Sequence, residues 1–398
     1  MTPSRSILIT DGEQRAALAL ARALGGAGHN VYVCSARARS LAGASRYTRA
    51  EARTAEPLAA PERFVEDVNT LIARWGIDVL LPVSEAALLA LLPARERLGN
   101  VLLPFPHATT FHRICDKAEL LAAAPRADIA IPAQRVVRAP SDIAALDVAA
   151  VEYPVVVKPA RSVGEAGGRR AKLTVRHAAS AAQLSAILRE LADDAYPLLI
   201  QQRLVGPGVG IFLLLWNGRT LATFAHRRLR EKPPSGGVSV YRESIAADPV
   251  LVARSRALLE QFGWCGVAMV EYKVDARTGT PYLMEVNGRF WGSLQLAIDA
   301  GVNFPALLLA AASDERVIPV TNYRVGVRSR WWWGDVDHLI ARLRHSREAL
   351  ALPSDAPGRW HAVRDFLTRH ADVDREEILR RDDPRPFFRE TMQWFRMS

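Results

Sequence analysis

The chain has 398 residues, 49% hydrophobic and 24% charged, which suits a soluble globular protein of two or three domains with a large buried core. No apolar run approaches the ~20 residues that span a bilayer, and the apolar stretch near the N-terminus is too short for a signal peptide. Its formal net charge of +10 is mostly arginine spread along the chain without a nucleic-acid-binding signature, so no nucleic-acid partner is expected.

In chain order, SILIT (Ser6 to Thr10) reads as a strand, QRAALALARALGGAG as a helix closing at Gly25 to Gly28, and NVYVC as a second strand. A helix through Phe64 to Trp75 leads to VLLPV, and VLLPF follows after another helix. This alternation predicts a parallel sheet with helices on both faces. GxGxxG is missing after the first strand, where Asp11-Gly12 is only a turn, so a dinucleotide cofactor is not expected. The cysteines Cys34, Cys115 and Cys265 are widely spaced in apolar surroundings; they predict buried thiols and a cytoplasmic location.

FHRICDKAELLAAA reads as a helix carrying Asp116 and Lys117, with a domain boundary near residues 110 to 125. From Tyr153 the pattern turns towards strands: YPVVVKP ending in Lys158, the glycine-rich loop ARSVGEAGG, AKLTVRH, then a helix from Ala181 to Leu191. PLLIQQRL, VGIFLLLWNG and RTLATFAHRRL follow, the last two joined at Asn217-Gly218. After a helix through Val250 to Phe262, VAMVEYKVD and PYLMEVNGRF predict a hairpin across Thr278-Gly279. Beyond about Tyr323 the chain reads as a strand carrying Trp331-Trp332-Trp333, then basic amphipathic helices.

Glu271 and Glu285 fall on neighbouring strands, and Asn287, two places on, points to the face of Glu285. Two carboxylates and an amide oxygen make a hard site suited to magnesium, which keeps waters and borrows phosphate oxygens; a solvated acidic face is the alternative. Lys158 ends a buried strand, where it can meet a phosphate as a point charge. Glycines let a backbone turn its N–H groups onto phosphate oxygens.

In the order lysine strand, glycine loop, hinge strand, acidic hairpin, the stretch from Asp116 to Phe304 resembles an ATP-grasp ligase. The resemblance implies an α/β and α+β protein: a pre-ATP-grasp domain with a parallel sheet (1–115), an ATP-grasp module (116–320) and a C-terminal strand and basic helical extension (321–398). The module comprises a lid subdomain (about 130–205) and a central subdomain (about 206–320), which clamp the nucleotide. By the same resemblance Lys117, Lys158, Gly164, Gly167 and Gly168 face the phosphates, and Gln201, Gln202 and Leu204 the adenine. Glu271, Glu285 and Asn287 hold magnesium or manganese, and Lys158 and Arg289 are catalytic. Many relatives carry glutamate at Gln202, an acidic residue at Gly208 and proline at Gly288.

AHRRLREKPPSGGVSVYRES reads as the acceptor region, with Arg228, Arg230, Ser235, Gly236, Gly237 and Arg242 binding a substrate carboxylate; a charged edge strand is the alternative. Alternation would put Arg228 and Arg230 on one face. The C-terminal aromatics are expected to cap a core or a homodimer interface, with a membrane surface or partner as the alternative. The resemblance implies an ADP-forming carboxylate–amine ligase that uses ATP and a divalent metal to make an acyl phosphate from a small carboxylic acid. Activation of bicarbonate or another small acid, or a non-catalytic nucleotide-binding protein, are the other readings.

Overall fold

The computed structural model describes residues 4–397 apart from 167–168, 351, 353–355, 369 and 371. The N-terminal region runs β1 (Ser6–Ile9), α1 (Arg15–Gly26), β2 (Asn30–Ser35), β3 (Thr48–Arg53), α2 (Pro61–Trp75), β4 (Val79–Leu81) and α3 (Glu85–Leu91), with a parallel sheet in the order β3-β2-β1-β4. β1 and β4 are almost wholly apolar because helices cover both faces. α2 stops at Gly76, whose φ of 58° suits a residue without a Cβ. The predicted strand VLLPF is reduced to one bridge, Leu102 to Val79; Pro104 and Pro106 cannot donate to a ladder. β3 was not foreseen, since TRAEAR is a polar edge with no apolar run.

Helices α4 (Ala108–Cys115) and α5 (Lys117–Ala123) lead into a second unit of β5 (Gln134–Val137), β6 (Val155–Pro159), β7 (Val163–Ala166), β8 (Arg169–Lys172), β9 (Arg176–Ala178), α6 (Ala181–Glu190) and β10 (Leu198–Gln202). Its sheet, β5-β10-β6-β9, is antiparallel and has its own core, including Val155, Val157, Leu184, Leu188, Leu198 and Ile200. The predicted glycine loop contains β7, which pairs with β8, and AKLTVRH splits into parts of β8 and β9.

The remainder comprises β11 (Gly208–Trp216), β12 (Arg219–Lys232), β13 (Val238–Ser244), α7 (Pro249–Gln261), β14 (Gly266–Val274), β15 (Pro281–Asn287), α8 (Leu294–Ala300), α9 (Phe304–Ala312), β16 (Arg328–Arg330), α10 (Trp332–Arg344), α11 (Arg359–Leu367), β17 (Asp374–Glu376) and α12 (Arg385–Met397). Its seven strands order as β15-β14-β11-β12-β13-β16-β17. Asn217 and Gly218, both at positive φ, turn β11 into β12 as a two-residue hairpin requires. Phe212, Phe224, Trp291 and Phe304 pack over this sheet.

The tryptophan triplet lies at the start of α10 and not on a strand. Trp333 stacks on Trp394 of α12 at 4.3 Å, and Trp332 meets Phe366 of α11, so the triplet clasps the C-terminal helices together. The segment before α12 returns to the N-terminal region: Arg22 pairs with Asp383 at 2.9 Å, and Tyr47 donates to Asp382 at 2.7 Å. Among the described residues no single helix is long and apolar enough to cross a membrane.

Candidate functional site

Lys117 opens α5 because Asp116 caps that helix, its carboxylate accepting from the N–H groups of Ala118 and Glu119. The Lys117 N–H donates to the Ala160 carbonyl at 2.8 Å, tying the helix start to the end of β6. Its ammonium lies 3.5 Å from Glu285 and donates to Ser162 at 3.0 Å. Lys158, opposite Leu199 in the ladder, sends its ammonium to the sulfur of Met284 at 3.9 Å. Burial lowers its pKa, with Glu285 opposing. Lys117 and Lys158 thus converge on the β15 hairpin strand from two different elements.

Glu271 and Glu285 are register partners across β14 and β15, with Asn287 opposite Met269. Burial raises the pKa of both, but Lys117, the Asn287 amide and Lys158 outweigh it at Glu285 and hold that carboxyl at about 2. Glu271 stays raised, because burial and the neighbouring Glu285 together exceed the pull of Arg228. Asn287 donates to Glu285 at 3.1 Å and turns its oxygen to Arg289 at 2.9 Å. Two half-buried carboxylates in register, ringed by cations, form an oxygen donor set that fits a divalent cation such as magnesium. Among the described residues no three His, Cys, Asp or Glu side chains cluster as ligands.

The acceptor arginines differ from expectation. Bulges between Arg228 and Glu231 pair Arg228 with Arg242 but Arg230 with Tyr241, so the simple alternation fails and Arg230 lies over the Tyr241 ring. Arg230 is held at two points by Asp335, each at 2.6 Å. Arg242 is fully buried against Glu377, which also takes Arg15 at 2.7 Å. Neither is an open cation awaiting a carboxylate; both are neutralised by the C-terminal extension. Arg228 bridges Glu271 and Glu231 and donates to the Gly237 carbonyl at 3.1 Å, and these carboxylates outweigh burial to raise its pKa. Its chain lies over Gly208, where a Cβ would come 2.9 Å from Arg228 Cδ. The absence of a side chain at 208 leaves room for the Arg228 chain on its way to Glu271.

Other expected residues fall at mixed positions. Gly164 packs against the turn at Asp194, 2.8 Å from the Cβ it lacks; Gly167 and Gly168 lie outside the described residues. Gln201 is buried and donates to Gln134 at 2.7 Å, while Gln202 is exposed and Leu204, just beyond β10, half-buried. Ser235 and Gly236 form the turn between β12 and β13, with the Gly236 N–H bonded to the Pro233 carbonyl at 3.1 Å. Gly288 sits against Trp264, whose ring would be 2.3 Å from an added Cβ.

Glu85, in the first turn of α3, was not singled out from sequence. Burial raises its pKa while Arg289 and Lys117 oppose, so it shares the field of the same cations. The available signal was its place just after β4, at the carboxyl end of a parallel strand, where α/β sheets gather ligand-facing groups.

Residues 194–332 match the family model "ATP-grasp in the biosynthetic pathway with Ter operon". No curated protein sequence matches the chain. Among solved structures, an L-amino acid ligase from Bacillus licheniformis is similar at TM-score 0.62 and 19% identity, over 80% of this chain and 78% of that one. A biotin carboxylase from Campylobacter jejuni aligns at TM-score 0.62 and 14% identity over 82% and 74% of the two chains. An N5-carboxyaminoimidazole synthetase from Staphylococcus aureus aligns at TM-score 0.61 and 14% identity over 82% of each. With the lysine, hinge and hairpin strands in the expected order, the chain has the ATP-grasp fold of these structures, and residues 194–332 carry the matching family signature.

Proposed function

We propose that the protein is an ADP-forming carboxylate–amine ligase: it phosphorylates a small carboxylic acid with ATP, and an amine attacks the acyl phosphate to give an amide. The observation that carries this reading is the convergence of two lysines on β15, Lys117 at Glu285 and Lys158 at the adjacent Met284, with Glu271 the register partner of Glu285. Lysines on one side and carboxylates on the other fit a nucleotide's phosphates, because the transferring phosphoryl group needs positive charge around it more than covalent help. Lys117 and Lys158 offset the phosphate charge and hold the nucleotide in line. Glu271, Glu285 and Asn287 would hold magnesium or manganese, which when bound neutralises charge on the phosphate oxygens.

Arg289, kept near the carboxylates by Asn287, is suited to steady the oxyanion that develops at the acyl carbon. The β7–β8 hairpin, whose Arg170 reaches the Leu89 carbonyl at 3.4 Å, would exclude water that otherwise hydrolyses the intermediate. The L-amino acid ligase likeness supports an amine as the nucleophile. The carboxylase-type neighbours support the second reading, with bicarbonate or another small acid as the activated group.

The test is a screen of amino acids and small acids for stimulated ADP release. Stimulation by an acid and amine together supports the ligase; an absolute need for bicarbonate moves the reaction to the second reading; no stimulation by any acid rejects both.

A further inference from the structure

Helix α12 divides its aromatic residues between two faces. On the inner face Phe387 packs on the core, Thr391 accepts from Trp333 at 2.9 Å, and Trp394 donates to Asp337 at 2.9 Å. On the outer face Phe388, Met392 and Phe395 are 60%, 54% and 66% exposed. At about 100° per residue these three fall within about 60° of one another, a continuous apolar stripe. Arg385 and Arg396, both exposed, and the half-buried Arg389, which keeps one guanidinium nitrogen enclosed, fall along one edge of that stripe, and none has a carboxylate partner among the described residues. Glu390, the helix's one acidic side chain, points inward to Trp331. Gln393 donates to the Arg39 carbonyl, which sets the exposed Arg39 loop alongside the helix.

We propose that the outer face of α12 docks on an anionic phospholipid surface, its apolar stripe entering the headgroup boundary and its arginines meeting lipid phosphates. A soluble fold gains nothing by exposing two phenylalanines and a methionine in one row, whereas an interface rewards it. Charge selects the occupant. A second copy packed through the same face would set arginines against arginines, which is unfavourable at short range. Nucleic acid would use the arginines and leave the apolar stripe unburied. An anionic bilayer satisfies both features, and the chain's net charge of +10 adds long-range attraction.

The experiment is co-sedimentation of the full chain with vesicles of phosphatidylcholine alone or mixed equally with phosphatidylglycerol. Binding is expected to the mixed vesicles alone and to fall as salt rises. Phe388→Ser/Met392→Ser/Phe395→Ser should abolish it, and Arg385→Gln/Arg389→Gln/Arg396→Gln should weaken it on the order of a hundredfold, both with unchanged ATP turnover and circular dichroism. No binding by the wild type at low salt, or equal binding by the serine variant, overturns the proposal. So does light scattering in which the serine variant turns a dimer into a monomer, which would give the face to a second copy.

Discussion

Arg228 crosses from β12, over Gly208 of β11, to the carboxylate of Glu271 on β14, so a single guanidinium links the acceptor strand to the acidic hairpin. Arg228→Ala would strand two largely buried carboxylates, Glu271 and Glu231. A loss of roughly 3 kcal/mol is expected, the usual cost of breaking one side of a buried pair. Urea denaturation measures it, and added magnesium should return part of the loss by taking the guanidinium's place. A variant as stable as the parent would show that Arg228 contributes nothing there.

Gly288 lies against Trp264, whose ring occupies the space a side chain would need. Gly288→Ala should therefore destabilise by about 1–3 kcal/mol, the cost of overpacking. Trp264→Leu should absorb much of that in the double variant. Additive effects in the double-mutant cycle would disprove the steric coupling.

Much of the lysine and carboxylate cluster was legible because its elements are local in sequence. Lys158 ends an apolar run, and the Glu271 and Glu285 strands are joined by a short hairpin, so periodicity alone predicts their shared face. The acceptor side was not legible. Arg230 finds Asp335, and Arg242 finds Glu377, more than a hundred positions away, and nothing in the alternation of β12 or β13 signals either partner. The bulges that separate Arg228 from Arg230 are likewise set by the pairing with β13 and not by composition. Tryptophans 331 to 333 misread as strand for the same reason: aromatic residues favour strands locally, whereas Trp332 and Trp333 open α10 and meet α11 and α12, which lie far along the chain.

Glu390 gives the C-terminal helix a pH dependence. Burial pushes its carboxyl up to about 7, against the ordinary 4.5, although Trp331 donates to it. A carboxyl with a raised folded pKa favours the folded state while protonated. Its stability contribution is full below about pH 4.5 and is lost as pH rises through about 7. Glu390→Gln keeps an oxygen for Trp331 and should flatten the melting temperature between pH 5 and pH 8, with a gain of about 1–3 kcal/mol at the upper end. A parent and variant whose melting curves run parallel across that range would contradict the assignment.

Lys158→Ala and Glu285→Gln each remove one side of the charge pattern around the proposed phosphate site. Both variants should fold and lose ATP turnover by about a hundredfold or more, the scale of a lost electrostatic contact in a transition state. Single-turnover assays distinguish this from weaker nucleotide binding. Near-parental turnover in both would move the site elsewhere.

Trapping with hydroxylamine tests the acyl phosphate most directly. With ATP, magnesium and the activating acid, the protein should release ADP and phosphate and convert the acid to its hydroxamate, and Glu285→Gln should do neither. Release of AMP and pyrophosphate, or ADP formed with no hydroxamate from any acid that stimulates it, would contradict activation through a phosphorylated carboxylate.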